Sequence, residues 1–409
     1  MHTTEAGMPL FYFKERSEGD CLREKKEKKM EALRKRDTYE TFKTYEEMEK
    51  LLVEMDQTDQ WPVVNMARMR VSYVKEGTAP IYIYKGATQE QVDAAYAAGT
   101  MTLQIGSDHY LMNPTALLTL GQTTETCCRL LSKFIRKGHL DQAAELYNKG
   151  LSYLSKENRI LVRGQQVMAF FSKNYCVLDQ KLVFERSRAL LLARFPGARF
   201  IKGSYTPVES SMLYELCGSE HQIFQKYIDA WKSSGFDEDD LKSAKIFVRI
   251  ATGDTGEATY KVSPLIFAKG WIPLGEPEKI KHYGKNTVND IDDVIAKIFA
   301  NLENGMNKLA DMMDIDITHP VICMEKMIKQ IGLEKICPTI VTMLKNSVEL
   351  LEIVRAGDPA DNRITAFTLY QTLLDAQYYP AFQKLEKQTK LKAWESFFRA
   401  AAIDWDKIN

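Results

Sequence analysis

The chain has 409 residues, 45% of them hydrophobic and 27% charged, which is enough apolar material for one large domain or two to three ordinary ones. Lys plus Arg and Asp plus Glu each number 55, so a uniformly basic or acidic protein is excluded and any charged surface has to be local. Seven scattered cysteines without a C-x-x-C argue against a disulfide framework or a zinc ribbon, and they read as free thiols in a reducing compartment.

Residues 1–20 read as a loose leader. They lack a long apolar segment after a basic start, so no secretory signal is expected. No uninterrupted apolar run approaches the roughly 18 residues of a membrane span. The expectation is a soluble cytoplasmic protein with no membrane association. Residues 21–60 interleave charges of both signs around a thin stripe of Met30, Leu33, Leu51, Leu52 and Met55, which predicts one or two exposed helices. Arg34, Lys35 and Arg36 alternate with acidic neighbours and read as a solvated face.

β-patterned runs follow at Trp61–Val64, Arg70–Val74 and Ile81–Tyr84. A short capped helix is predicted from Thr88 to Gly99. Met101–Tyr110 reads as a strand. Asn113-Pro114-Thr115 opens a helical stretch to about residue 156, broken near Gly138. A second β-rich block covers 159–220. Ile160–Arg163 and Gln165–Ser172 form a tight hairpin through Gly164. Leu182, Val183, Arg186, Leu190 and Leu191 suit an amphipathic helix ended by Pro196-Gly197, and 198–205 and 211–217 read as paired strands. A helix is expected to end near Gly235, before an acidic Asp237–Asp240 helix start.

The stretch 245–285 predicts the central hairpin. Ile246, Val248 and Ile250 lie on one face, with Phe247, Arg249 and Ala251 on the other. Gly253 and Gly256 suit positive φ in the turn, and Pro264, lacking an N–H, is expected to end the pairing. Residues 287–409 read as helical, with helices over 320–332, 338–355, 363–376 and 380–403. The fold class is α+β: a central mixed or antiparallel β core with hairpins, flanked by helices, and a helical C-terminal half. The expected segments are a charged helical region 1–60, an α+β core 61–285 and a helical region 286–409. Both hairpins are expected in one sheet. The helical region is expected to pack through Ile291, Val294, Ile298, Leu309, Leu344, Leu350, Leu351, Phe367, Leu373 and Phe397.

Three segments resemble an uncharacterised family of phage- and plasmid-encoded proteins, the phage/plasmid-like protein family of unknown function. Ile160–Gln180 carries an arginine, a short hairpin and an alanine-x-x-serine-x-x-tyrosine run, here Arg163, Ala169, Ser172 and Tyr175. Phe247–Ile266 is similar to a turn-and-strand segment with proline, and Ile280–Phe299 to a basic-histidine-x-glycine run before a long helix. The match covers roughly residues 100–310. Segment 267–277 lacks the family's cysteine-threonine-asparagine run, so the chain resembles a divergent member. The resemblance implies a mobile-element origin and assigns no catalytic residue.

No chemical constellation stands out. None of the six histidines has a second ligand at metal spacing. Asp311, Asp314, Asp316 and His319 form the densest acidic-plus-His cluster, but they read as a helix end and polar loop. Cys127 and Cys128 read as buried small hydrophobes. No G-x-S-x-G, dinucleotide or phosphate-loop motif occurs, so no cofactor, metal or catalytic residue is assigned.

One block rises above this background. Residues 156–202 hold ten basic residues against Glu157, Asp179 and Glu185, interleaved with Phe170, Phe171, Tyr175, Phe184, Phe195 and Phe200. Cations for phosphate and rings for bases are what a sequence-tolerant single-strand binder needs. The candidate nucleic-acid contacts are Arg163, Lys173, Lys181, Arg186, Arg188, Lys281, His282 and Lys285. The functional expectation is a non-enzymatic, single-stranded-nucleic-acid-binding accessory of phage or plasmid DNA replication or recombination. The alternative is a protein-interaction module, such as a phage inhibitor of host defence or a virion-associated protein, with a host or phage protein as partner. A homo-oligomer stays open. The first reading expects Arg163, Arg186, Arg188 and Lys281 on one exposed face. The second expects an exposed apolar patch.

Overall fold

The structure, a computed structural model, describes residues 40–74, 100–126, 128–164, 166–206, 208–217, 231–232, 237–256, 258–268, 270–280, 289–357, 363–385 and 387–409. The strand expected at Ile81–Tyr84 and the helix expected from Thr88 lie outside them. In chain order the first elements are β1 (Glu40–Phe42), α1 (Tyr45–Thr58), β2 (Asp59–Gln60), β3 (Val63–Asn65), β4 (Met69–Val74), β5 (Thr100–Ile105) and β6 (Asp108–Met112). Three helices follow, α2 (Pro114–Thr123), α3 (Cys128–Arg136) and α4 (Leu140–Ser152), and then β7 (Glu157–Arg163), β8 (Gln166–Ser172) and α5 (Gln180–Arg194). Next come β9 (Ala198–Tyr205), β10 (Ser210–Leu216), α6 (Glu238–Ser243), β11 (Lys245–Thr252), β12 (Tyr260–Phe267), β13 (Trp271–Pro273) and β14 (Glu278–Ile280). The remainder is helical: α7 (Asn289–Ala296), α8 (Ile298–Asp314), α9 (Pro320–Ile331), α10 (Pro338–Gly357), α11 (Ala366–Asp375), α12 (Pro380–Gln383), α13 (Lys387–Ala400) and α14 (Trp405–Ile408). The α+β class with a helical C-terminal half is the observed one.

Two compact units divide the chain, one over residues 60–173 and the other over 39–59 with 174–409. The expected 61–285 core is therefore shared between them. In the first unit the strand order is β7–β8–β6–β5–β4, with β3 also on β7. All neighbours are antiparallel except β6 and β8, which pair in parallel through Leu111↔Gln166 and Met112↔Val167. Where one strand was expected over Met101–Tyr110, the chain forms a hairpin, because Gly106 at φ 62° lets it reverse. Gly164 at φ 59° does the same between β7 and β8. Helix α2 starts at Asn113, whose Oδ1 accepts from the Ala116 N–H at 2.8 Å. Leu103, Ala116, Leu120, Tyr147, Ile160 and Val167 join in this unit's core.

In the second unit the order is β1–β9–β10–β11–β12–β13, with β14 also on β12, and every pair is antiparallel. The two hairpins expected in one sheet are therefore in different sheets. The β7–β8 hairpin takes β6 as its neighbour, and β11–β12 takes β10. Helix α1 begins in a capping box, with Thr44 Oγ1 accepting from Glu47 N–H at 3.2 Å and the Glu47 carboxylate accepting from Thr44 N–H. Its Met48, Leu52 and Met55 join Phe184, Ile246, Val248, Ile250, Leu302, Phe367 and Phe397 in one continuous core. The C-terminal helices thus close over the sheet and do not have a core of their own. Leu350, expected inside, is 61% exposed on α10. The helix expected over 380–403 is two helices, α12 and α13.

The outer face of β10–β11–β12 carries charge. Glu209 is buried and accepts from the Arg249 guanidinium. Lys261 Nζ lies 3.6 Å from the same carboxylate and also pairs with Glu395 of α13. Burial pushes Glu209 upward, but Arg249 and then Lys261 outweigh it, and its carboxyl is held below the usual range. Beside these charges Leu213, Phe247, Leu265 and Phe398 form a small apolar cluster.

Pro264 does not end the pairing. It sits within β12 opposite Val248, and its carbonyl accepts from Leu274 N–H at 3.1 Å. A strand residue's N and O point to the same side, so the missing N–H faces the break between β14 and β13, where no ladder bond is lost. The two turn glycines also differ from each other. Gly256 has φ 81°, as expected. Gly253 is needed for space: a Cβ there would stand 2.1 Å from the Val208 carbonyl oxygen.

Replacing Gly253 by Ala is expected to destabilise the protein by about 1–3 kcal/mol through this overlap. Unchanged chemical denaturation would contradict the close approach. Replacing Glu209 by Ala leaves Arg249 and Lys261 without their buried counter-charge and is expected to cost about 3–5 kcal/mol. Because the folded pKa of Glu209 lies below the unfolded value near ~4.3, the carboxylate's contribution is complete above that pH. It is lost as pH falls through the folded value. Denaturation of wild type and Glu209→Gln across pH 7 to 3 should show a gap that narrows only at the acidic end. A gap independent of pH would refute the assignment.

Candidate nucleic-acid interface

The block 156–202 is divided between the two units at residue 173. Arg163 ends β7 and is 3% exposed, so it offers no charge to a ligand. Lys173 pairs with Glu157 at 2.6 Å, which holds the Glu157 carboxyl below its ordinary range. Lys181 pairs with Glu185 one turn along α5 at 3.2 Å. Arg186 forms a two-pronged bridge to Asp292, with Nε 2.9 Å from Oδ1. That contact raises the guanidinium and lowers the carboxyl. Arg188 lies 4.2 Å over the Tyr45 ring. Lys281, His282 and Lys285 lie outside the described residues. Arg186 and Arg188 share α5 but have separate partners, so the chain folds with several of this block's charges already answered.

The interleaved aromatics serve the cores. Phe170, Phe171, Tyr175, Phe184 and Phe195 are buried. Half-buried Phe200 packs edge-on to Tyr45 and Tyr214, with ring centroids 6.1 and 5.5 Å apart. The other sequence candidates behave likewise. Asp316 pairs with Arg363, whose Nη2 also donates to the Asp314 carbonyl at 2.7 Å. Among the described residues no group of three or more His, Cys, Asp or Glu is placed to hold a metal. Cys128 is half-buried, with its Sγ 3.5 Å from the Thr126 carbonyl, and Cys127 lies outside the described residues.

A close cluster of unanswered charge is on α3. Arg129, Lys133, Arg136 and Lys137 are exposed, and no ion pair joins any of them to another described residue. At about 100° per residue, positions 129, 133, 136 and 137 fall within one sector of the helix. No acidic residue occurs between Thr126 and Leu140. Leu131 is buried and Phe134 and Ile135 are half-buried on the other side, which anchors the helix to the first unit's core. Gly138 at φ 79° ends it: the His139 N–H returns to the Phe134 carbonyl at 3.0 Å and the Gly138 N–H to Ile135 at 3.1 Å. Three of the cations therefore sit at the negative end of the helix dipole, which favours them there.

Beside this stripe is a groove of about 250 Å³ between α2, α3 and α4. Leu117, Leu118, Leu131 and Ile135 supply its walls, and Ser132 and Arg136 its rim. The Arg136 Nε donates to the Ser132 carbonyl at 3.2 Å, which holds the guanidinium along the helix. The run Arg129–Lys137 is denser in cations than the longer block and free of acids, and its spacing marks one face. That signal was present in the sequence.

No protein-family model matches the chain, and neither a curated protein nor a solved structure is found similar to it. Among the described residues no helix is long and apolar enough to cross a membrane.

Replacing Arg188 by Ala removes a cation from the Tyr45 ring and is expected to cost about 0.5–2 kcal/mol of stability, without touching the α3 stripe. Urea denaturation checks this. A variant as stable as the parent would show that the guanidinium contributes nothing there.

Proposed function

We propose that the protein is a non-enzymatic nucleic-acid-binding accessory of phage or plasmid DNA replication or recombination, acting in the cytoplasm and binding through α3. The observation that carries this reading is the set of four exposed cations, Arg129, Lys133, Arg136 and Lys137, on one helical face without an acidic partner among the described residues. A line of like charge costs self-repulsion unless something of opposite sign meets it, and phosphates at regular spacing do so. The resemblance to phage and plasmid proteins supports the setting by analogy. Lys181, Arg186 and Arg188 of α5 already have partners in Glu185, Asp292 and the Tyr45 ring and stay out of the interface.

A second reading has its own observation. Leu350, Ile353 and Val354 share one face of α10 and are 61%, 68% and 49% exposed. An apolar patch of this kind fits a protein partner, as in a phage inhibitor or a virion-associated component.

A salt-titrated binding assay with single-stranded and duplex DNA separates the two. Affinity for single strands is expected to fall as salt rises. Arg129→Ala, Lys133→Ala and Lys137→Ala together should weaken it and flatten the salt slope by about 0.7 for each phosphate left without its cation. Lys173→Ala and Arg186→Ala should leave both unchanged. If the unmutated protein binds no nucleic acid at low salt, the α10 patch and a protein partner take the place of this reading.

A further inference from the structure

The groove beside α3 is not explained by phosphate binding, and its chemistry differs from that of the stripe. On a helical wheel Cys128, Leu131, Ser132 and Ile135 centre on one sector and the cations on the next, with Arg136 shared between them. A ligand bound at the stripe by its charge therefore has an apolar recess within one side chain's reach. The volume sets the size of what enters. Cavities of about 150 Å³ hold a benzene ring, so about 250 Å³ admits a six-membered ring with its substituents. The walls are aliphatic, with the Tyr147 ring among the lining groups. The Tyr147 hydroxyl donates to the Leu117 carbonyl at 2.7 Å, and burial pushes the phenol upward, so it stays protonated and fixed. The polar groups that line the recess besides that phenol are the Ser132 hydroxyl, the Cys128 thiol and the Arg136 guanidinium.

We infer that the groove between α2, α3 and α4 takes one unstacked nucleobase of a single strand, a pyrimidine by size, whose own phosphate is held by Arg136. This rests on the nucleic-acid reading of α3 and adds to it a reason to prefer single strands. A base paired in a duplex cannot leave its stack without an unpairing cost, whereas a single strand offers bases already free to turn outward. The aliphatic walls cover the faces of the ring, and Ser132 and Cys128 meet its polar edge. Discrimination among pyrimidines is weak, because the recess presents few directed donors.

The test fills the recess without disturbing the stripe. Ser132 is exposed on α3, so Ser132→Phe places a ring in the groove at a position that tolerates size, and a thermal melt confirms that it folds. The probe is an oligothymidylate carrying one 5-fluorodeoxyuridine, together with an unlabelled oligothymidylate and a duplex of equal length. With the wild-type protein, the fluorine resonance of the reporter base should be shielded from a dissolved paramagnetic quencher on binding. Ser132→Phe should abolish the shielding and weaken single-strand affinity by about 10-fold or more, the worth of one apolar ring surface taken out of water. The salt slope and duplex affinity should stay as they were. Ser132→Ala, which removes the hydroxyl at the polar edge but leaves the recess open, should keep the shielding and lose less affinity than Ser132→Phe. Salt-sensitive binding that Ser132→Phe leaves intact, or a loss as large in Ser132→Ala, overturns the base pocket while leaving the α3 interface standing. Absence of any salt-sensitive binding by wild type overturns both.

Discussion

A carboxylate under a sheet has to be answered, and in this protein Glu209 sets the terms. It sits at the start of β10, out of water, and needs cations from both strands that follow. Arg249 of β11 and Lys261 of β12 provide them only if the three strands hold their register. Moving β11 by one residue would turn Arg249 to the core face and bring Val248 or Ile250 out. The same Lys261 reaches Glu395 on α13, so the strand register also decides where the last long helix sits. The apolar cluster of Leu213, Phe247, Leu265 and Phe398 then fills the space beside the charges.

Much of this was legible in the sequence, and the reasons are local. Alternation in Ile246–Ala251 fixed both faces of β11, and the capping residues Thr44 and Asn113 mark helix starts that are present. What local pattern does not carry is which strand neighbours which. β8 lies parallel to β6 across three intervening helices, and nothing in Gln166–Ser172 announces that. Pro264 was misleading for a similar reason. Its effect depends on which side of the strand the absent N–H faces, and that is a property of the neighbours. Leu350 adjoins Leu351, but Leu344, Val348 and half-buried Leu351 continue the buried face of α10, and at about 100° per residue Leu350 turns away from it.

The candidate site shows how composition and placement separate. Ten cations in 156–202 invite a ligand, yet Glu157, Glu185, Glu215 and Asp292 answer several of them, and two of these acids, Glu215 and Asp292, lie outside the block. A count over a window cannot see partners that arrive from elsewhere. The shorter run on α3 has no acid within it and none paired to it among the described residues, and the helix closes at Gly138 before Asp141. Freedom from partners, more than abundance, distinguishes a surface that can receive phosphate.

The order in which the two units occur along the chain has a consequence for synthesis. Strand β1 and helix α1 precede the whole first unit, yet β1 pairs with β9, and the apolar side of α1 belongs to the core built by the later strands. On the ribosome the first unit can close as soon as residue 173 emerges. Met48, Leu52 and Met55 must wait for β9, a delay of roughly 10–30 s at ordinary elongation rates. Glu395 emerges later still, so the Lys261–Glu395 pair cannot form until α13 has been made. The second unit therefore cannot close before β9 is made, and the apolar side of its early helix stays uncovered in the interval.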